Sequence, residues 1–492
     1  MKIRLLASLL GRGWTALLAL AVAPVLIKYL GAEAYGLIGL YMTVQGLFTI
    51  LDMGFSATAT RELSGSSTDP TSNRAARDLL RTLEVIYITV GITIAGAAAF
   101  TAPSRITDWL NIQVLDKDTV EQALVFLFLA VGVQWPFGIY AGALTGRERQ
   151  VTLNFLIGVF ATLRWVGGAA IVILGGSIRG YFAWQILIGI AQTSVAAGVA
   201  WAAMPKDTNR PRFSLNRLQN VSHFALGVTG ISLIGVALSQ TDRIVIGTLL
   251  PLDALGYYSF AATAAALPYL AAGPIQSVAY PMLSRLLSEE KLGETIEAYH
   301  KFSRLMAVLL IPTSLVGALF SETLVGFWTG SEELTRQTHL VAALLTVGSA
   351  INGVVYLPYS LQLAAGKTSF WLGVNIVSFL LHLPLLVYAT SNFGILGAAL
   401  VWCSLNLGYL FVAVPIVHRK FLCRQLSGWY LKDMGWPLGV SFVIGIMGVQ
   451  LSNMIQHIGL RVAFIFGVWL LATLFSAAPF VIKLKPRITF SI

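Results

Sequence analysis

The sequence predicts an all-α polytopic membrane protein of about fourteen transmembrane helices, arranged as two pseudo-symmetric six-helix lobes followed by two further helices. Composition is the first reason: of 492 residues, 56% are hydrophobic and only 11% charged, with a mean hydropathy of +0.76. Soluble domains do not have this balance. Apolar runs of about 20 residues, each enough for one bilayer crossing, recur along the whole chain. The third reason is an internal repeat: Glu33-Ala34-Tyr35-Gly36 returns 220 residues later as Asp253-Ala254-Leu255-Gly256. Gly146-Arg147 with Asn154 recurs as Gly366-Lys367 with Asn375, and Gly180 with Trp184 as Gly397 with Trp402, at offsets of 220, 221, 217 and 218. Three anchors in the same order indicate a duplicated half, the construction many secondary transporters use.

In chain order the expected spans are 5–30, 36–60, 83–103, 121–143, 152–174, 180–202, 223–250, 256–283, 302–327, 337–364, 368–391, 394–417, 434–453 and 460–482. Six crossings separate the repeat anchors, and an even number leaves both halves in the same orientation, as for a pseudo-twofold axis along the membrane normal. This gives an N-terminal lobe over 1–205, a C-terminal lobe over 206–420 and a final helix pair over 421–492, outside the repeat.

Orientation follows from the basic residues. With a cytoplasmic N-terminus, 25 of the 33 Lys and Arg residues fall on the cytoplasmic side and six on the outer side, and Arg164 and Arg243 lie well inside spans. This is the bias of the positive-inside rule, so both termini are expected in the cytoplasm. The net charge of +11 is then a property of the cytoplasmic face and gives no sign of nucleic acid. Lys2, Arg4 and Ala19-Leu20-Ala21 imitate a signal peptide, but Arg12 interrupts the apolar run and thirteen spans follow. Cys403 in the twelfth span and Cys423 in a cytoplasmic loop supply no disulfide framework.

Short loops exclude a separate soluble domain. The longest outer connection is 104–120, where Asp108-Trp109-Leu110 could form an interfacial helix anchored by Trp109, and the longest inner ones are 61–82 and 203–222. No DxD pair, Cys/His metal spacing, P-loop or nucleophile elbow occurs, and the six His residues stand singly. Enzymatic activity, a metal and a cofactor are therefore not expected, although coupling to H+ or Na+ is open.

Charges inside the membrane mark the candidate site. Arg164 is the thirteenth residue of a 23-residue span, close to the midplane. An arginine there costs roughly 2.5–3.5 kcal/mol on insertion scales and should face the bundle interior or an aqueous cavity. The repeat register maps it to about 381–385, where His382 stands, so both halves would carry a potentially cationic group at mid-depth. Arg12 and Asp52 lie at similar depths from the cytoplasmic face. Either they form an ion pair, or Arg12 belongs to a cationic cavity entrance. Asp242 and Arg243 are adjacent and need separate partners; Asp242 could couple or gate, or pair statically. Arg61, Arg285, His300 and Arg304 sit near cytoplasmic span ends, where snorkelling alone accounts for basic residues and substrate contact is the alternative.

The segments Tyr29-Leu30-Gly31, Glu33-Ala34-Tyr35-Gly36, Leu51-Asp52-Met53-Gly54-Phe55-Ser56 with Arg61, Thr241-Asp242-Arg243-Ile244-Val245-Ile246-Gly247, Leu255-Gly256-Tyr257-Tyr258-Ser259 and Tyr280-Pro281-Met282-Leu283-Ser284-Arg285 resemble the Wzx-type polysaccharide-biosynthesis flippases of the MOP superfamily. The resemblance covers most of the first 420 residues. It implies a MATE-like fold of two six-helix lobes in a bacterial cytoplasmic membrane. It implies as substrate an undecaprenyl-diphosphate-linked oligosaccharide, moved to the outer leaflet by alternating access. A glycan polymerase and assembly proteins would be partners alongside membrane lipid. In that setting Arg12, Arg164, Arg243, His382, Arg61, Arg285 and Arg304 are the candidates for a cationic cavity, and Asp52 and Asp242 for coupling or gating.

Three alternatives stay open. Lipid II flippases of the same superfamily share the fourteen-span count but carry an Arg-Asp pair in span one, where this chain has Arg12-Gly13. MATE-type exporters of small amphipathic compounds need an acidic site in span one, which here has no acidic residue. A membrane glycosyl transferase or polymerase is disfavoured by the short loops.

Overall fold

Hydropathy of this kind makes helices, since a backbone in lipid must satisfy its own hydrogen bonds. A computed structural model describes residues 2–52, 54–64, 70–205, 210–214, 233–366, 368–422 and 424–482. The side chains of 2–10 and of Arg12 are among those outside the description. Contacts divide the chain into two compact units, Met1–Ser259 and Phe260–Ile492. Apart from one bridge between Asn111 and Pro251, the regular structure is helical, and no strand occurs among the described residues.

The first unit holds α1 (Lys2–Leu30), α2 (Ala32–Phe48), a 3-10 turn (Thr49–Asp52), α3 (Phe55–Glu62), α4 (Pro70–Trp109), α5 (Lys117–Gln134), α6 (Phe137–Gly146), α7 (Gln150–Ile173), α8 (Ile178–Ala202), α9 (233–249) and the start of α10 (Leu252–Ala265). The second continues with α11 (Tyr269–Ser288), α12 (Leu292–Leu319), α13 (Ser321–Thr329), α14 (Glu332–Ala364), α15 (Thr368–Gly408), a π-helical turn (Tyr409–Ala413) and α16 (Val414–Phe421). Then α17 (Leu426–Gly428), a second π-helical turn (Trp429–Gly435) and α18 (Trp436–Ser452) form one continuous helix, followed by α19 (Ile458–Ile482).

Among the described residues ten helices are long and apolar enough to cross a membrane, against fourteen expected spans. Local breaks account for much of the difference. The second expected span, 36–60, is interrupted by the 3-10 turn and by Gly54, whose φ of 73° lies in the left-handed region that glycine adopts without strain. The eighth breaks at Pro268 into α10, too short alone at 14 residues, and α11, which at 20 residues is long enough but not apolar enough. The stretch Phe370–Phe421 counts once, yet Gly394 (φ 60°, ψ −146°) divides it into two helices. The corner is tight: a Cβ on Gly397 would sit 2.1 Å from the Ala389 carbonyl oxygen. The seventh span is described only from 233. The expected outer loop over 104–120 is shorter than anticipated, because α4 runs on to Trp109, 40 residues or about 60 Å from its start.

The repeated tetrapeptide proves to be a helix crossing. A Cβ on Gly36 would come within 2.5 Å of the Leu252 carbonyl oxygen, and one on Gly256 within 2.0 Å of the Ala32 carbonyl oxygen. The two copies thus pack glycine to glycine, which lets backbones approach where lipid supplies no hydrophobic drive for helix association. Buried Glu33 accepts hydrogen bonds from three consecutive backbone N–H groups, those of Gln113 (2.6 Å), Val114 (3.0 and 3.1 Å) and Leu115 (2.7 Å). The same acidic motif that crosses α10 therefore also fastens the loop after α4.

In the second unit the C-terminal helices lean on α12. Asp433, 1% exposed, accepts from Arg304 Nε at 2.8 Å and is bonded to His300 Nδ1, while His300 Nε2 faces Gln425 Oε1 at 3.2 Å. Trp429 Nε1 donates to Ser303 Oγ at 3.1 Å and Trp469 Nε1 to Thr313 Oγ1 at 3.0 Å. Removing one partner of a buried charge pair costs about 3–5 kcal/mol, and Arg304 retains partial access to solvent, so the lower end applies. Asp433→Ala should therefore lower the melting temperature of the detergent-solubilised protein clearly, and Asp433→Asn, which keeps an acceptor, should lower it less. An Asp433→Ala protein that melts with the wild type would remove this cluster as the tether.

Candidate functional site

Helix α7 carries Arg164 fourteen residues from its first residue, roughly 21 Å along its axis. Its guanidinium is held by neutral amides from two other helices: Nη1 donates to Gln134 Oε1 at 2.8 Å and Nη2 to Gln192 Oε1 at 2.6 Å. Gln134 ends α5, where Trp135-Pro136 breaks the helix before α6. Its own amide donates to Tyr41 Oη at 2.6 Å, and Gln45 Nε2 donates to Gln134 Oε1 at 2.8 Å. Helix α2 thereby joins the cluster through Tyr41 and Gln45.

No carboxylate among the described residues lies within ion-pair distance of Arg164, and its Nε is buried without a hydrogen-bond partner. The amides orient the cation and leave its charge uncompensated. Two cavities meet at this residue. One of about 240 Å³ is lined by Thr15, Tyr41 and Tyr181, the other of about 540 Å³ by Asp52, Trp135 and Phe137, and both are bordered by Gln45, Arg164 and Gln192. Such a site offers an anion the charge-assisted hydrogen bonds that the protein itself does not complete.

Asp52 ends the 3-10 turn and borders the larger cavity. It accepts from Ser56 Oγ and Tyr87 Oη, and from the Ser56 backbone N–H at 3.4 Å. Tyr87 in turn stacks on Trp135, centroids 4.5 Å apart and planes 17° apart. The side chain of Arg12 lies outside the described residues, and so does the expected Arg12-Asp52 pair.

The remaining expected cations are dispersed. Asp242 and Arg243 have separate partners, as neighbours on a helix must: Asp242 Oδ2 accepts from Tyr258 Oη at 2.5 Å, and Arg243 Nη1 donates to Gln240 Oε1 at 3.3 Å. Neither borders the Arg164 cavities. Arg61 is exposed beside Glu62 at 3.8 Å, and Arg285 is exposed 3.9 Å from Glu289. Arg304 belongs to the Asp433 cluster. His382 is buried and borders a cavity of about 670 Å³ in the second unit, lined largely by apolar side chains of α15 and the first π-helical turn. The repeat register thus relates Arg164 and His382 by position, while their surroundings differ in chemistry. Among the described residues no group of three or more His, Cys, Asp or Glu side chains is arranged to hold a metal.

Sequence reasoning overlooked the amides. Gln45, Gln134, Gln185 and Gln192 all fall inside expected spans, and intramembrane amides seek partners on other helices. That signal was available.

A bundle of helices long and apolar enough to cross a membrane, with a cavity among them bordered by Arg164, has the form of a polytopic membrane protein of the transporter class. The chain belongs to a family described as "Polysaccharide biosynthesis protein", whose model matches residues 25–334. It is 18% identical over 395 residues, 80% of this chain and 92% of the other, to the "Putative O-antigen transporter" of Shigella flexneri. Its fold is similar to that of a solved "Lipid II flippase MurJ, inward closed conformation" (TM-score 0.76, 13% identity, 97% of this chain and 99% of that one). It is also similar to an inward-facing multidrug resistance MATE family transporter of the MOP superfamily (TM-score 0.70, 14% identity, 85% of this chain and 96% of that one). The MATE-like architecture expected from the sequence is therefore the observed one.

The amide cluster makes a stability test. Gln134→Leu strips a partner from Arg164, Tyr41 and Gln45 together, and an unsatisfied buried polar group costs about 1–3 kcal/mol. Thermal denaturation in detergent should show that loss, whereas Gln134→Glu, which retains acceptors for the cation, should melt at or above the wild-type temperature. Equal loss in both variants would mean that the cation is not what Gln134 serves.

Proposed function

We infer that this protein is a flippase, a transporter and not an enzyme, which moves an undecaprenyl-diphosphate-linked oligosaccharide from the cytoplasmic to the outer leaflet for cell-surface polysaccharide biosynthesis. One observation carries the substrate assignment: the Arg164 guanidinium is fixed by neutral amides, borders two cavities and keeps its charge available. A diphosphate is dianionic and planar bidentate contacts suit its oxygens. A cavity for a cationic drug would instead need net negative charge, and here Asp52 shares its cavity with the Arg164 cation, so the lining carries none.

Translocation proceeds by alternating access. The diphosphate rests against Arg164, the glycan occupies polar cavity space and the polyprenyl chain stays in lipid. We place the protein in a bacterial cytoplasmic membrane with both termini inside, as fourteen spans in two six-helix lobes (1–205 and 206–420) and a C-terminal pair (421–492). Asp52 and Asp242 are the candidates for coupling to H+ or Na+, and Arg12, Arg243, His382, Arg61, Arg285 and Arg304 remain secondary candidates for contact along the path. A glycan polymerase and assembly proteins are the expected neighbours.

Losing a hydrogen-bonded buried charge from a binding site costs about 1.5–3 kcal/mol, or roughly ten- to a hundredfold. Arg164→Ala should reduce outer-leaflet glycan by that factor with no change in the amount of protein in the membrane, and Arg164→Lys should fall between. Normal export by Arg164→Ala would sink the proposal.

A further inference from the structure

The larger cavity contains more than an anion site requires. Asp52 Oδ2 is engaged only by the long Ser56 N–H contact, and Gln192 Nε2, Gln45 Oε1 and the Trp135 indole N–H make no hydrogen bond among the described residues. None of these four atoms is a sealed orphan in the interior. The cavity that they border, about 540 Å³, is large enough for a small-molecule ligand. They offer two acceptors and two donors around an aromatic ring.

We propose that this cavity reads the first sugar of the lipid-linked glycan, with Trp135 as the stacking platform and Asp52, Gln45 and Gln192 as hydroxyl partners; the inference rests on the flippase reading. The chemistry argues for it in three ways. A pyranose presents an apolar C–H face and an edge of hydroxyls that both donate and accept, and the inventory here matches both properties. The sugar attached to a diphosphate must lie next to it, and Arg164 borders the same cavity as Trp135. The platform is also rigid: Tyr87 stacks on Trp135 and bonds Asp52, so ring and carboxylate are held as one unit. Gly91 gives the indole its seat, since a Cβ there would lie 3.0 Å from Trp135 Cε3. Preorganised groups lose little freedom on binding, which is how a site converts contacts into selectivity.

The experiment measures binding of undecaprenyl diphosphate, bare or carrying one N-acetylglucosamine, galactose or glucose, to the full chain in detergent. The wild type should prefer one glycosylated lipid over the bare one by roughly threefold to tenfold, the range of an aromatic contact with added hydrogen bonds. Trp135→Leu should bring that ratio to about one, and Arg164→Ala should weaken binding of all four lipids alike while leaving the ratio in place. Should Trp135→Leu fail to accumulate, Trp135→Phe and Gln45→Ala carry the comparison, each expected to lower the ratio. A ratio that these variants leave at the wild-type value, or a wild type without preference, overturns the sugar site and spares the flippase reading. A wild type that binds none of the four lipids overturns both.

Discussion

A guanidinium in the middle of a membrane helix constrains everything packed around it. Arg164 must find acceptors on other helices, and it finds them on the last residue of α5 and on α8, with α2 joined through Tyr41 and Gln45. Neutral amides satisfy direction without cancelling charge. A carboxylate in place of Gln134 or Gln192 would have given a self-contained ion pair, stable to itself and of little use to an anion. Pro136 breaks the chain just after Gln134, so α5 ends where Gln134 meets the cation, and Trp135 lines the neighbouring cavity.

The second unit shows the contrasting solution. Arg304 and His300 share one carboxylate, Asp433, almost wholly removed from solvent. Charge there is consumed by structure, and the cluster binds α12 to the helix that starts the C-terminal pair. Arg304 and His300 lie near a span end and Arg164 at mid-depth, and the position of Asp433, distant in sequence, is what ties the first two into a tether.

Much of the architecture was legible because hydropathy and helix formation are the same constraint inside a bilayer. The repeat was legible too, though its meaning was not: Gly36 and Gly256 were read as echoes and turn out to touch. Breaks within spans were harder. Gly54, Pro136, Pro268 and Gly394 all stood in the sequence, but glycine and proline are common in membrane helices and do not announce which of them bend the chain. The C-terminal end of α4 was misread for the opposite reason, since Arg105, Thr107 and Asp108 are polar yet remain helical to Trp109. At the site, depth alone located Arg164. Its amide partners come from distant positions, 28 and 30 residues away, so no local spacing could pair them.

The C-terminal pair falls outside the duplication, and its attachment is polar for a physical reason. Lipid chains are as apolar as leucine, so a helix added to a finished bundle gains nothing from hydrophobicity by docking and must be held by packing and hydrogen bonds. The pair uses both. Val316, Phe320, Ile465 and Val468 form a small buried cluster between α12 and α19, while Asp433 and Trp429 bond to one turn of α12 and Trp469 bonds to Thr313 further along it. The π-helical turn over Trp429–Gly435 supplies both Asp433 and Trp429, and Tyr430 from it donates to the Leu410 carbonyl within the other π-helical turn at 2.6 Å. Trp429 and Asp433, four residues apart, share the face turned to α12, and Tyr430 leaves the same short segment on another side toward Leu410.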